Sequence, residues 1–302
     1  MSTCRVLILL YHRVATLPSD PQLLAVRPEH FEAHLEVMRT KGMEFSRLVD
    51  LNRPEAWSAG DRVVISFDDG YADNASAAAP ILVRHGVPAT FFVASDHLDG
   101  QRWFWWDEVE ALLLGPGSGA DVPPAAPWNM LSPPRTRAQA AYRTACLRLR
   151  AMPRARRERV LENLRRSRGG SVQPPEPWRA MTSRELRDLE RPGLLEVGGH
   201  TCGHALLAAE SEAVQRTEIE SDKSVLEGLL GHSIHAFSYP YGAPGDFTAV
   251  SRSLAAAAGY RVACANHPGL VRPETDLLSL PRNLVRDWDG PRFAAMLDAW
   301  LK

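Results

Sequence analysis

Two adjacent carboxylates, Asp68 and Asp69, stand at the end of an apolar run in this chain. The run, residues 63–67, is followed by these carboxylates and then Gly70, and Asp-Gly is a common hairpin turn. However, the residues after Gly70 lead into an alanine-rich helical pattern rather than a second strand. The two carboxylates are therefore predicted at the carboxyl end of a strand, where α/β enzymes keep the groups that bind metals or move protons.

Two histidines four residues apart, His200 and His204, follow another strand-like run, residues 194–197. Imidazoles at this spacing converge on one metal ion if the segment makes a helical turn. By itself such a pair is more often two unrelated loop histidines. Combined with one Asp, two His leave a coordination position open, which is typical of a catalytic zinc site. Cys202 has the wrong offset to share their face and is expected to be a packing residue.

Two further segments could contribute to such a site. The run 236–239 ends in an aromatic-proline-aromatic-glycine turn that contains Tyr241, and Arg282 follows Pro281 near the C-terminal end. Taken alone, the first is a turn and the second is a surface arginine. Beside the other motifs, however, the rigid and permanently charged guanidinium of Arg282 could pair with a carboxylate.

The elements that must position these side chains alternate between strands and helices. Short apolar runs predict the strands, and apolar residues at helical spacing lie between them. This alternation implies a parallel sheet with crossover helices, which in a chain of 302 residues is either a barrel or a doubly wound open sheet. The predicted strands are residues 6–10, 63–67, 89–93, 194–197, 236–239 and 261–265.

The alternation is interrupted between residues 100 and 177, where prolines and glycines cluster around an arginine-rich helical pattern. We interpret residues 100–177 as an insertion within a single catalytic domain that covers residues 1–302. Residues 135–168 hold 12 arginines and two glutamates, hence a local charge of +10. Such a charge run is usually a solvated face, here of a helical hairpin, and the alternative is a surface that docks phosphate.

Composition narrows the class of protein. With 45% hydrophobic residues and a formal net charge of −1, the chain is neither disordered nor globally attracted to nucleic acid or anionic membranes. Four separated cysteines form no C-x-x-C pair, so neither a disulfide framework nor a cysteine zinc cluster is expected. No signal-peptide core and no apolar stretch of about 18 residues occurs, and we expect a soluble cytoplasmic protein.

The motifs together resemble the polysaccharide deacetylase family, also called the NodB-homology or carbohydrate esterase family 4 enzymes. They occur in the family's order and cover most of the chain outside residues 100–177, down to Arg282. The matching segments are residues 10–14 (LYHRV), 66–74 (SFDDGYADN), 88–93 (PATFFV), 181–182 (MT) with 185–186 (EL), 200–204 (HTCGH) and 239–242 (YPYG).

The resemblance implies an α/β fold, a distorted (β/α) barrel of about seven parallel strands, and one divalent metal, usually zinc. Carried over motif by motif, Asp69, His200 and His204 would be the metal ligands, and Asp68 would be the general base. The backbone N–H of Tyr241 would help to bind the oxyanion.

The chain departs from the family pattern at two positions. Many members carry an arginine just before the aromatic-proline-aromatic turn, where this chain has Ser238, and the family's late Leu-x-His motif has no clean counterpart. We hypothesise that Arg282 replaces the missing cation beside Asp68. The proton for the leaving amine would come from His12 or His267, or from Asp68 itself.

These features predict a metal-dependent N-deacetylase that hydrolyses the acetamide of an N-acetylated sugar or glycoside intermediate inside the cell, releasing acetate and a free amine. Because no export signal is visible, we expect a nucleotide-linked or lipid-linked substrate and no nucleic-acid partner. Trp105 and Trp106 could stack on a sugar ring at a barrel mouth capped by residues 100–177, or could pack that segment onto the barrel. The alternatives are a metal-dependent amidase or deformylase on another substrate and, less favoured, an inactive carbohydrate-binding homologue.

Overall fold

The apolar runs of the sequence form the strands of one curled parallel sheet. The computed structural model describes residues 5–53, 57, 60–100, 102–115, 128–167, 174, 176, 178–191 and 193–302. All six predicted strands are present. The strands are β1 (Arg5–Tyr11), β2 (Arg13–Val14), β3 (Ala25–Val26), β4 (Glu44–Phe45), β5 (Asp61–Phe67), β6 (Ala89–Val93), β7 (Leu195–Gly199), β8 (Ala236–Ser238), β9 (Val262–Cys264) and β10 (Asn283–Leu284).

Seven of these strands are hydrogen-bonded in the order β10-β1-β5-β6-β7-β8-β9, and every neighbouring pair is parallel. They curl into a half-barrel, in agreement with the predicted fold. Residues 280–284 join its two edges, because Leu280 bridges to Cys264 of β9 and the residues that follow form β10 beside β1. β4 pairs with the beginning of β5, and β2 pairs with β3 in a separate ladder.

Helices connect the strands. The first begins at Pro28, a residue favoured in the first helical turn because its missing N–H has no partner there, and it buries Phe31, Leu35 and Met38 at helical spacing. No helix in the described part of the chain has the length and apolar character needed to cross a bilayer. The helices are α1 (Pro28–Thr40), α2 (Ala79–His85), α3 (Trp105–Leu114), α4 (Arg137–Arg150), α5 (Arg154–Ser167), α6 (Ser183–Glu190), α7 (Glu212–Leu230), α8 (Ala249–Ala257) and α9 (Gly290–Trp300).

The core lies on both faces of the sheet. Side chains of β1 alternate between two apolar clusters, with Leu7, Leu9 and Tyr11 in one and Val6 and Ile8 in the other. Such continuous burial is typical of a parallel strand that is covered on both faces. Burying each of these side chains contributes about 1.5–3 kcal/mol to the free energy of unfolding, which makes the sheet a rigid support for the residues at its edge.

The parallel arrangement brings the carboxyl ends of the strands to one edge of the sheet. The register pairs Tyr11 of β1 with Phe67 of β5, and Leu10 with Leu284 of β10. Polar residues that end the strands or follow them within two residues are therefore gathered at this edge, and they are His12, Asp68, Asp69, His200, Ser238, Asn266 and Arg286.

Three helices, α3, α4 and α5, occupy the predicted insertion between β6 and α6. Positions 101, 116–127, 168–173, 175 and 177 of that segment lie outside the described residues. α3 packs against α4 and α5, and an apolar cluster that includes Trp105, Trp106 and Leu161 joins them to Tyr71 of the barrel. The segment is thus packed onto the barrel by its aromatic residues.

The expectation that the arginines of this segment face water is wrong for three residues of α5. Arg154 forms a salt bridge with Glu218 of α7, and Arg165 forms one with Glu108 of α3. Arg157 is only 1% exposed. The three arginines recur at helical spacing with the buried Leu161, so they share the inward face of the helix. Arg154 and Arg157 therefore join the segment to the barrel, whereas Arg165 joins two helices of the segment, and all three charges are engaged within the protein.

Candidate functional site

Asp69, His200 and His204 meet at the carboxyl edge of the sheet, all three buried. The Nε2 atoms of His200 and His204 lie 3.6 Å and 3.3 Å from Oδ1 of Asp69. One ligand atom from each residue falls within 4.8 Å of the others. At this spacing, one metal ion between the three groups can contact all of them.

The backbone that brings these residues together differs from the predicted helical turn. Residues 200–204 form a loop in which Thr201 and His204 have φ angles of 62° and 50°, and Asp69 has a φ of 76°. The left-handed region is unfavourable for residues with a Cβ, and such strain clusters at functional sites. The packing of the barrel therefore holds the three side chains in an arrangement that the local chain would not adopt by itself.

The polar atoms of this cluster fit a divalent metal ion. Oδ1 of Asp69 and Nε2 of His200 are buried without a hydrogen-bond partner among the described residues, and Nε2 of His204 lies 3.3 Å from the same Oδ1. Nδ1 of His200 lies 2.8 Å from the carbonyl oxygen of Ser238. If Nδ1 donates to this carbonyl, Nε2 carries the lone pair that a metal requires. One carboxylate and two imidazoles form a ligand set that zinc and similar ions accept.

Asp68 is held by Arg282 rather than by the candidate metal-ligand cluster. The guanidinium donates to both carboxylate oxygens, from Nη1 to Oδ1 at 2.7 Å and from Nη2 to Oδ2 at 2.6 Å. Burial opposes ionisation of Asp68, but the charge of Arg282 and its hydrogen bonds outweigh this effect and hold the pKa of Asp68 below its usual value. Asp68 is therefore a carboxylate at neutral pH.

Ser238 explains how Arg282 reaches this position. The Ser238 hydroxyl accepts a hydrogen bond from Nη2 of Arg282 at 2.8 Å and donates one to Oδ2 of Asp68 at 3.2 Å. Nε of Arg282 donates to the carbonyl of Ala265 at 2.8 Å. A short side chain at position 238 leaves room for the guanidinium of Arg282, which comes from residues 280–284, the segment that joins the two edges of the half-barrel. The structure thus places a cation beside Asp68, as hypothesised from the sequence.

Tyr241 occupies a strained turn at the same edge, with a φ of 62°. Its carbonyl accepts a hydrogen bond from Nδ2 of Asn266 at 3.1 Å, and its hydroxyl accepts one from Nε1 of Trp105 at 2.9 Å. Its ring lies edge-on to His204 with centroids 4.6 Å apart. Its backbone N–H makes no hydrogen bond with any described residue, so this donor remains available to a ligand.

A cavity of about 330 Å³ opens above these residues. Of the four residues predicted to bind substrate, His12, Trp105 and Trp106 line it, whereas the structure does not bring His267 to it. The backbone carbonyl of His267 binds the N–H of Arg282, and the neighbouring Asn266 lines the cavity instead. The lining residues are His12, Gln22, Leu24, Asp68, Asp69, Trp105, Trp106, Met130, Cys146, Leu147, Arg150, His204, Tyr241, Asn266, Leu284 and Arg286.

Sequence analysis missed Arg157, which supports the site from α5. Its Nη2 lies 3.4 Å and 3.3 Å from the carbonyl oxygens of Gly203 and His204, and its Nη1 donates to the Tyr241 hydroxyl at 3.3 Å. It therefore links the loop of a candidate metal ligand to the Tyr241 turn. The spacing of Arg154, Arg157 and Leu161 was a signal for an inward face, but the high charge of the segment obscured it.

The fold is that of NodB-like (β/α) barrels. The deacetylase PplD of Streptococcus pyogenes, solved in complex with acetate, superposes with a TM-score of 0.64 and 18% identity over 98% of both chains. IcaB from Ammonifex degensii gives a TM-score of 0.65 and 17% identity over 98% of this chain and 96% of that chain. At such identities the likeness establishes the fold.

Two parts of the chain match the polysaccharide deacetylase family. The family model, described as "Polysaccharide deacetylase", matches residues 58–115 and 172–263. The stretch between the two matched ranges contains α4 and α5. A curated relative, "Putative polysaccharide deacetylase YxkH" of Bacillus subtilis (strain 168), is 33% identical over 92 residues, which is 28% of this chain and 30% of that protein. The alignment thus spans less than a third of the relative's length.

Proposed function

We propose that this protein is a metal-dependent N-deacetylase that hydrolyses the acetamide of an N-acetylated sugar or glycoside intermediate and releases acetate and a free amine. The observation that carries the proposal is the placement of the Asp68–Arg282 pair directly beside the cluster of Asp69, His200 and His204. The match to the polysaccharide deacetylase family supports a sugar substrate. We further propose a nucleotide-linked or lipid-linked substrate, and the cytoplasmic location expected from the sequence stays a prediction.

Asp69, His200 and His204 would hold the ion, with zinc favoured by the ligand set. When bound, a divalent ion supplies Lewis-acid activation of the attacking water and of the acyl carbonyl. Hydrogen bonding of His200 to the carbonyl of Ser238 orients the ring for this purpose.

Asp68 would act as the general base. Because Arg282 keeps it ionised, it can accept a proton from a water molecule in the cavity while remaining outside the ligand set. The free N–H of Tyr241 would donate to the oxyanion that forms from the acyl oxygen. The leaving amine then takes up a proton from Asp68 or from His12, whose side chain also lines the cavity.

The cavity walls suit a sugar ring. Trp105, Trp106 and Tyr241 supply aromatic surface, and about 330 Å³ is at the lower end of the volumes that hold small ligands. Met130 and Leu147 add an apolar wall from the segment 100–177. We propose that this segment caps the site. Trp105 and Trp106 would then have both of the roles considered for them, because they pack the segment onto the barrel and also line the cavity.

Metal removal tests the proposal. Purified protein should contain a stoichiometric divalent ion and release acetate from at least one member of a panel of N-acetylglucosamine derivatives. Chelation should abolish acetate release, and restoring zinc should recover it, whereas Asp69→Ala should bind no metal and stay inactive after zinc is added. Metal binding with no acetate release from any derivative would overturn the deacetylase function and favour a different acyl group, such as formyl.

Replacing Arg157 tests whether the segment 100–177 supports the chemistry. Arg157→Met removes the donors to the carbonyls of Gly203 and His204, and we expect a decrease in kcat/KM of about 10-fold to 100-fold, typical of groups that orient a metal ligand. Arg156→Met, on the exposed side of the same helix, is the matched control and should retain the wild-type value. Equal values for the two variants would contradict a positioning role for Arg157.

A further inference from the structure

Two guanidinium groups, those of Arg150 and Arg286, line the cavity outside the proposed catalytic machinery. They differ in how their charges are compensated. Arg150 forms a salt bridge with Asp246 at 2.8 Å and lies over the ring of Tyr241, with 4.7 Å between the guanidinium carbon and the ring centroid. Its charge is therefore already paired within the protein.

Arg286 has no such partner among the described residues. It follows β10 by two residues, and because Leu284 pairs with Leu10 of β1, it stands beside His12 at the rim of the sheet. Its Nη1 donates to the backbone carbonyls of Gln22 and Leu23. No carboxylate of the described residues lies within salt-bridge distance of it, and its Nε and Nη2 donate to none of their oxygens.

The nearest acidic influence on Arg286 comes from Asp20, but that carboxylate is engaged elsewhere. It accepts hydrogen bonds from the backbone N–H groups of Leu24 and Ala25, both at 2.9 Å. Burial lowers the pKa of Arg286, and the charge of Asp20 opposes this only in part. A guanidinium nevertheless stays protonated in proteins, so a half-buried positive charge with no salt-bridge partner among the described residues lines the cavity.

The opposite side of the cavity would not repel an anion bound there. The two acidic side chains that line it are Asp68 and Asp69. Arg282 neutralises Asp68, and Asp69 belongs to the proposed metal-ligand cluster. The guanidinium fork is anchored at Nη1 by two carbonyls, which leaves Nε and Nη2 as a preorganised pair of donors for a two-oxygen acceptor.

We propose that Arg286 binds an oxyanion, a carboxylate or a phosphate, carried by the N-acylated sugar while its acyl group lies at Asp69, His200 and His204. This inference rests on the proposed function for the identity of the substrate. Arg286 is then a specificity residue that favours charged sugars over neutral ones. The segment 100–177 contributes the paired Arg150 to the same cavity but not the anion-binding charge.

Matched substrates test this inference. N-acetylglucosamine is compared with its 1-phosphate, its 6-phosphate and its 6-carboxylate (uronate) form, by kcat/KM for acetate release and by calorimetric binding to the metal-loaded protein. At least one charged sugar should be preferred over the neutral sugar by about tenfold or more, consistent with charge-assisted hydrogen bonds to one guanidinium. A preference for one of the sugar phosphates identifies the oxyanion as phosphate, and a preference for the uronate identifies it as carboxylate.

Variants assign the preference to Arg286. In Arg286→Gln the charged-to-neutral ratio should fall to about one, and Arg286→Lys should retain part of it, since the charge remains but the fork is lost. Arg272→Gln, at an exposed arginine outside the cavity, should keep the wild-type ratio. No preference in the wild type, or an unchanged ratio in Arg286→Gln, would overturn the inference. A binding preference without acetate release would retain it and instead reject the deacetylase function.

Discussion

Asp68→Asn is expected to lower kcat for acetate release by about 10³-fold while the metal content stays at the wild-type level. An amide cannot accept the proton of the attacking water, and general-base catalysis contributes about 10²-fold to 10⁴-fold. Metal content should persist because Asp68 is bound by Arg282 and not by the cluster of Asp69 and the two histidines. The measurement is single-substrate kinetics together with elemental analysis of the same preparation.

The control for this variant is a second buried ion pair. Asp73 forms a salt bridge with Arg13 at 2.8 Å, with both side chains nearly inaccessible, and neither residue lines the cavity. Asp73→Asn therefore removes the carboxylate of a buried ion pair, as Asp68→Asn does, without removing the proposed base. If both variants lose activity to the same extent at a temperature where both are folded, Asp68 has no special chemical role.

Arg282→Met is expected to lower the free energy of unfolding by about 3–5 kcal/mol, because it leaves the buried carboxylate of Asp68 without its counter-charge. The guanidinium is fully buried and also binds Ser238 and Ala265, so several polar groups lose a partner together. Acetate release should fall as well, since the base loses the group that keeps it ionised. Urea unfolding of the metal-loaded protein measures the change in stability.

A double-mutant cycle separates the ion pair from the general loss of packing. Asp68→Asn combined with Arg282→Met removes both charges, so it should be less destabilised than the sum of the two single variants. Arg27→Met, which breaks the exposed pair with Asp287, should cost less than about 1 kcal/mol. Additive losses in the cycle, or an Arg282→Met cost no greater than that of Arg27→Met, would show that the pair is not coupled.

Much of the barrel could be predicted from the sequence because local patterns encode it. The six apolar runs became β1, β5, β6, β7, β8 and β9 within one or two residues. The short β10 was not predicted, since two residues beside β1 carry no periodicity that distinguishes them from a loop. Yet residues 280–284, which include this strand, join the edges of the half-barrel, and they position both Arg282 and Arg286.

The candidate metal-ligand cluster shows which features local sequence patterns do not predict. The types and spacing of Asp69, His200 and His204 indicated the site, but a helical turn was expected where the structure has a loop with φ angles of 62° and 50°. Those angles are unfavourable for the local chain, so only the surrounding packing selects them. Local patterns also failed to distinguish His267 from its neighbour: His267 was predicted to reach the cavity, whereas Asn266 lines it.

By itself the sequence determined the strand order along the chain, the placement of acids and histidines after strands, and the kinds of side chain available for chemistry. These properties depend on residues that are near one another in the chain. The tertiary structure alone decided which charges meet. Arg282 reaches Asp68 across 214 residues, Arg157 leaves an apparently solvated helix for the interior, and Arg286 faces a cavity without a carboxylate partner among the described residues. The environment of a charged side chain is set by partners that are close in space but distant in the sequence. The alternation of apolar residues along the chain does not encode those partners.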